Sequence, residues 1–338
     1  MSAKYGLIGL AGAMALMVGA CSSEASKEQA SEKSDLSPEM AQQKADQEAY
    51  EAMPDTPGTG AYPATKEMVA SLPDHVIYHP KDLSALGDTK LGIVLWGNGG
   101  CAADGASARL HLEEVASHGY LAIAPGTIRS GPGASDNKIE PDNGVRIGED
   151  GKFPPVETTP EDIIAGLDWA LAENNRPESP YYHKIDPKAV AVAGHSCGGL
   201  QAIKISADPR IATTIINNSG VLNDDVPNII QGLTVNKSEL SALHAPILYI
   251  LGGSKDVAFQ NGSDDFKRID KVPAALASID VGHGGTFHQS NGGKVAQVSV
   301  AWLNWQLRGD KAAAKMFVGK DCGLCTDPDW TYEEKGLK

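Results

Sequence analysis

A serine flanked by glycines closes a β-branched, apolar run in AVAVAGHSCGGLQAI, residues 189–203. Gly194-His195-Ser196-Cys197-Gly198 matches the pattern G-x-S-x-G, with a strand-like run before it and a helix-like run after it. That context is what a nucleophilic serine on a sharp turn needs. Gly194 and Gly198 leave room for the turn, Gly199 lets the helix approach the strand, and the helix N-terminus brings positive potential to a developing oxyanion. The plain alternative is a serine in a glycine-rich bend. Cys197 is itself a nucleophile type, and His195 reads as the variable position, packing locally without a catalytic role.

A serine hydroxyl is too weakly acidic to attack an ester unaided, so a base and an orienting acid must be supplied. In strand–turn–helix sites of this kind they follow in the order Ser, Asp/Glu, His. YILGGSKDVAF (249–259) offers Asp256 just after a strand, and IDVGHGGTF (279–287) offers His283 in the loop after the next one. Competing carboxylates are Asp264 and Asp265, read as further out in a polar loop, and Asp280, read as inside a strand. His288 is the rival base and reads as a surface residue. An oxyanion needs backbone donors. VLWGNGGCAADG (94–105) places glycines directly after a strand, which assigns the N–H groups of Asn98 and Cys197 to that role, with the glycine run leaving the register open. Neither G-x-x-x-x-G-K-[ST] nor G-x-G-x-x-G occurs there, so phosphate-loop and dinucleotide readings fail.

These residues need a scaffold. HVIYHP (75–80), LGIVLWG (91–97), YLAIAP (120–125), AVAVAG (189–194), IATTIINNS (211–219), APILYILGG (245–253) and AALASIDVG (274–282) read as strands. Between and after them, 104–119, 159–175, 199–207 and roughly 294–317 carry helical periodicity, with Thr159 as N-cap and Pro160 at the first helical position. Alternation of this kind implies parallel βαβ units: an α/β protein with a doubly wound, mostly parallel sheet whose ligands bind at the carboxyl ends of the strands. A Gly/Pro/Asn/Asp-rich stretch from Gly126 to Pro155 is long enough to suggest function or disorder. The short stretch between Ser219 and Pro246 leaves no room for a large lid domain.

The chain has 338 residues, a formal net charge of −14 and a pI near 5.0, which argues against a nucleic-acid partner. MSAKYGLIGLAGAMALMVGAC has one lysine, an apolar run and small residues ending at Cys21, a secretory pattern too short for a stable span. Val18-Gly19-Ala20-Cys21 resembles the bacterial lipobox, with Cys21 as the lipidated residue; an ordinary cleaved signal is the alternative. The expected organisation is a signal peptide over 1–20, a lipidated flexible tether over 21–60 and one catalytic domain over 61–338. A short amphipathic helix around Pro38–Met53 competes with the tether reading. Four further cysteines leave three pairings open. Cys322–Cys325 reads as a local bond pinning the tail. For Cys101 and Cys197, which border the oxyanion residues, the hypothesis is a bond bracing them, against two small buried thiols.

With those motifs in place, the chain from about Ala61 to Pro328 resembles the α/β-hydrolases. The resemblance is to the bacterial cutinase and polyester-hydrolase branch, near the dienelactone hydrolases. It is carried by VASHGYLAIAP, SPYYHKIDPKAVAVAGHSCGG, ILYILGGSKDVAF and VAWLNWQL. It implies an α/β-hydrolase fold, Ser196 as nucleophile, Asp256 as acid, His283 as base, and Asn98 with Cys197 as oxyanion donors. Dienelactone hydrolases use a cysteine, and Cys197 sits one position too late for that role. Polyester hydrolases carry aromatics in the oxyanion turn and after the strand beyond the nucleophile; here those places hold Asn98 and the aromatic-free NNSGVLNDD (217–225). Trp96 and Phe259 are the available substrate-lining aromatics. The expectation is a monomeric, membrane-tethered serine ester hydrolase of the bacterial envelope, acting on small or polymeric esters at neutral or slightly alkaline pH. It needs neither cofactor nor metal. The alternatives are a peptidase, amidase or lipase-like acyl hydrolase, or a non-catalytic envelope lipoprotein using the fold for binding.

Overall fold

A computed structural model of the chain describes residues 38–134, 148 and 151–338, so the signal pattern, Cys21 and the middle of the 126–155 stretch lie outside the described residues. Within these residues, nine strands form one mixed sheet: β1 (Ala64–Val69), β2 (Leu72–Pro80), β3 (Leu91–Gly97), β4 (Tyr120–Pro125), β5 (Ile185–His195), β6 (Thr213–Asn217), β7 (Ile247–Leu251), β8 (Ala274–Ile279) and β9 (Trp330–Lys335). Their order is β1-β2-β4-β3-β5-β6-β7-β8-β9, parallel from β4 through β8 and antiparallel at both ends. Among the described residues, eight α-helices accompany them: α1 (Pro38–Ala52), α2 (Arg109–Ser117), α3 (Pro160–Asn175), α4 (Cys197–Ile205), α5 (Phe259–Arg268), α6 (Gly293–Arg308), α7 (Lys311–Ala314) and α8 (Gly323–Thr326). None of the described helices is long and apolar enough to cross a membrane.

Crossover handedness explains the layers. The step from β3 to β4 runs one way along the sheet, whereas those from β4 to β5, β5 to β6 and β7 to β8 run the other way. Right-handed crossovers in opposite directions put their helices on opposite faces. Accordingly α2 packs in one core with α6, and α3, α4 and α5 pack in the other. Central strands are buried on both sides, so β3 sends Leu91, Ile93 and Leu95 to one core and Val94 and Trp96 to the other.

Local chemistry sets the helix ends. The Thr159 hydroxyl accepts from the Asp162 N–H while the Asp162 carboxylate accepts from the Thr159 N–H, closing a capping box with Pro160 at the first position. The helical region expected over 294–317 is broken at Gly309, whose φ of 66° ends α6. The edge strands β1 and β9 and the helix α5 were not legible in the hydrophobic pattern.

The tether expectation over 21–60 is corrected for its C-terminal part. Arg109 is fully buried, and a buried guanidinium must find acceptors. It donates to the carbonyls of Tyr50 (2.6 Å) and Met53 (2.9 Å) and pairs with Asp55 (3.3 Å). Thr56 bonds Glu113, Thr59 bonds Glu114, and the Gly60 N–H donates to Ser117. The segment after α1 is therefore fastened along α2 as part of the domain.

Candidate active site

Strand β5 carries Ser196 to the carboxyl end of the parallel strands, and α4 begins at the next residue. Ser196 has φ 52° and ψ −121°, a conformation that costs a non-glycine residue on the order of 1–3 kcal/mol. The surroundings hold it there: its N–H donates to the Asn217 carbonyl (3.0 Å), and its carbonyl accepts from the Ser219 hydroxyl (2.6 Å). Gly198 is the position where a side chain is excluded. A Cβ there would stand 2.1 Å from the carbonyl carbon and oxygen of Gly97 and 2.6 Å from the Asn98 nitrogen. Backbone cannot yield that far, so Gly198→Ala is expected to separate α4 from the end of β3 and to destabilise the fold by about 1–3 kcal/mol. A fall in the thermal melting midpoint of the variant checks this.

His283, after β8, completes a chain of hydrogen bonds. Ser196 Oγ donates to His283 Nε2 (2.9 Å), and His283 Nδ1–H donates to Asp256 Oδ1 (2.6 Å). Asp256, after β7, is buried, whereas the His283 side chain is 35% exposed. Asp256 Oδ1 also accepts from the Ala258 N–H (2.9 Å), and Oδ2 from the Gly252 N–H (3.0 Å) and Asn218 Nδ2 (3.0 Å). Burial alone would raise the Asp256 pKa. The bonds from His283 and the two amides outweigh it and hold the carboxyl at about 2. The anion therefore contributes stability that is present above the usual aspartate range and is lost only as pH falls through about 2. Asn218 Nδ2 donates in addition to the Gly282 carbonyl (3.0 Å), which ties the acid turn to the loop that carries His283.

The oxyanion residues of the sequence reading come together at the start of α4. Asn98 is fully buried; its side-chain amide donates to the carbonyls of Ala102 (2.9 Å) and Pro125 (2.7 Å), holding the turn after β3, and its backbone nitrogen faces the Gly198 backbone. Gly99 is the first residue of that turn to reach the surface. Cys101 and Cys197 are disulfide-bonded, as are Cys322 and Cys325. The first bond joins the turn after β3 to the residue following Ser196. The Cys101 carbonyl also accepts from the N–H groups of Glu157 (3.1 Å) and Thr158 (2.9 Å), so a third segment hangs on the same point. A sequence separation of 96 makes the unfolded-state loop large. Replacing both Cys101 and Cys197 by Ala is expected to cost roughly 4 kcal/mol of stability, read as a fall in the denaturant midpoint.

The readings of Trp96, Asp264, Asp265 and Asp280 change. Trp96 does not line a cleft: it is fully buried on the α2/α6 side, against His111 (5.2 Å between ring centroids) and Phe287 (5.6 Å). A run buried on both faces gives no signal of which face a residue takes. Phe259 opens α5 and is half-buried, with its ring packed against the α3/α4/α5 core. Asp264 and Asp265 lie on α5 rather than in a loop; Asp265 is buried and bonds Lys237 Nζ (2.6 Å), the Val221 N–H (2.7 Å) and the Tyr249 hydroxyl (3.3 Å). Asp280 is exposed and falls one residue beyond β8. His288 is exposed and stacks on Tyr50 (3.9 Å), away from the serine's hydrogen-bond chain.

Two polar residues that hold this arrangement, Asn218 and Ser219, went unassigned in the sequence, and His195 was read only as a locally packed residue. A polar cluster, NNS, directly after the apolar β6 run was the available signal for the first two. Nothing local marks His195. The sequence matches no family model and no curated protein.

Proposed function

We propose that the protein is a serine hydrolase of carboxylic esters built on the α/β-hydrolase fold. One observation carries the reading: a serine held at φ 52° whose hydroxyl, at 2.9 Å, continues through His283 to a buried, ionised Asp256. The strand order, with β3 between β4 and β5 and the three groups at the carboxyl ends of β5, β7 and β8, supports it. His283 Nε2 takes the hydroxyl proton as Ser196 Oγ adds to the ester carbonyl carbon, and the negative charge moves to the carbonyl oxygen. Backbone N–H groups of the turn after β3 and of Cys197 stabilise that oxyanion. Collapse breaks the bond to the alkoxy oxygen, which receives the proton from His283 and leaves as alcohol. Water, deprotonated by His283, then attacks the acyl-enzyme, and the carboxylic acid and free Ser196 are released. Asp256 orients the imidazole and stabilises its cationic form throughout.

The N-terminal pattern supports anchoring of this enzyme to the bacterial envelope through a lipid on Cys21. The test of the activity is covalent. Incubation with a fluorophosphonate should add one label per chain, mapped by peptide mass spectrometry to Ser196, and should block hydrolysis of p-nitrophenyl acetate in parallel. A folded chain that takes no label rejects the reading and leaves a binding lipoprotein.

A further inference from the structure

His195, the variable residue of the G-x-S-x-G turn, touches the other two loops that a serine hydrolase must align. Its Nε2 lies 2.8 Å from the backbone carbonyl of His283. A carbonyl only accepts, so the proton sits on Nε2 and the ring donates. The ring also packs against the imidazole of His283 (5.3 Å between centroids) and against Phe287 (4.9 Å). On its other edge, Nδ1 faces the turn after β3, where a Cβ on Gly99 would stand 2.7 Å from it. Phe287 in turn packs on Trp96 and His111, so the contact is backed by the core and not by solvent.

We infer that His195 is a positioning residue for the proposed reaction: its Nε2–H holds the His283 backbone, and with it the imidazole, in line with Ser196 Oγ. The inference rests on the serine-hydrolase reading. Asp256 fixes the Nδ1 side of His283, and Asn218 holds the preceding Gly282 carbonyl. The bond from His195 is the tie between the nucleophile's own turn and the backbone of the base. Burial holds the His195 pKa at about 4, so the ring stays a neutral Nε2–H donor at neutral pH. A loss of alignment by about 1 Å can cost on the order of 100-fold in rate.

The test compares His195→Gln, whose amide N–H can occupy the place of Nε2–H, with His195→Phe, which keeps the ring and lacks the donor. His195→Phe is expected to lower kcat for p-nitrophenyl acetate by about 10- to 100-fold with KM changed less than about threefold, and His195→Gln to recover most of it. His195→Met, of similar length to Gln and without an N–H, replaces Phe if that variant does not fold. A second readout needs no turnover: the downfield proton resonance of the His283 Nδ1–H···Asp256 bond should broaden or shift in the donor-less variant and persist in His195→Gln. Equal loss in the donor-bearing and donor-less variants, or an unchanged rate and resonance in the donor-less one, overturns the inference. Failure of the serine-hydrolase reading is recognised separately, by a wild-type chain that takes no fluorophosphonate while the resonance comparison still reports on the tie.

Discussion

Ser196→Ala is expected to lower kcat for ester hydrolysis by about 10⁶-fold and to abolish fluorophosphonate labelling, while the folded structure and the binding of uncleaved substrate persist. Nothing else in the hydrogen-bonded chain can replace the lost oxygen. Cys197, the nearest nucleophile type in sequence, has its sulfur bonded to Cys101. The stability of the variant is as informative as its inactivity. Alanine at φ 52° keeps the backbone strain of the serine, so Ser196→Ala should melt close to wild type. Ser196→Gly removes that strain and should be more stable by roughly 1 kcal/mol, although glycine also gains freedom in the unfolded chain. An inactive but more stable glycine variant would mark the turn as strained for function. A Ser196→Ala variant with more than about 1% of wild-type kcat would remove the serine from the mechanism.

The second large effect is expected for Asp256→Asn: about 10⁴-fold in kcat. The geometry explains why an isosteric change should be so costly. Both edges of the carboxylate accept from donors: His283 Nδ1–H and the Ala258 N–H on Oδ1, the Gly252 N–H and Asn218 Nδ2 on Oδ2. An Asn side chain must point its NH₂ at one of these pairs. Turned toward His283, it demands the tautomer with the proton on Nε2, which cannot take the proton of Ser196. Turned the other way, it sets NH₂ against the Gly252 N–H and the Asn218 amide, which is itself held by the Gly282 carbonyl. Either orientation leaves a buried donor unpaired, so a loss of about 1–3 kcal/mol of stability should accompany the loss of rate. Steady-state kinetics and denaturant titration of the same preparation check both halves. Near-normal turnover would show that His283 does not depend on Asp256.

Much of the candidate site could be read from the chain because its parts are local signals repeated at strand ends. The glycines around Ser196, the strand–turn–Asp of 249–256 and the strand–turn–His of 279–283 each sit where a short apolar run stops. In a parallel sheet such stops share one edge. The capping box of α3 is legible for the same reason: its partners are three residues apart. Cys101 and Cys197 could be paired in thought because each borders the same turn.

What the sequence determined alone was the type and order of the candidate groups, since backbone geometry at a strand end needs only neighbouring residues. Tertiary structure decided which groups face one another across the chain. It turned Trp96 into the core, because both faces of β3 are covered and an apolar run does not choose between them. Residues 50–60 became part of the domain because a buried Arg109 lacked acceptors of its own. Asn218 and His195 were set behind Asp256 and His283, at sequence separations of 38 and 88. Such contacts depend on how distant segments stack, and a linear pattern carries no record of that.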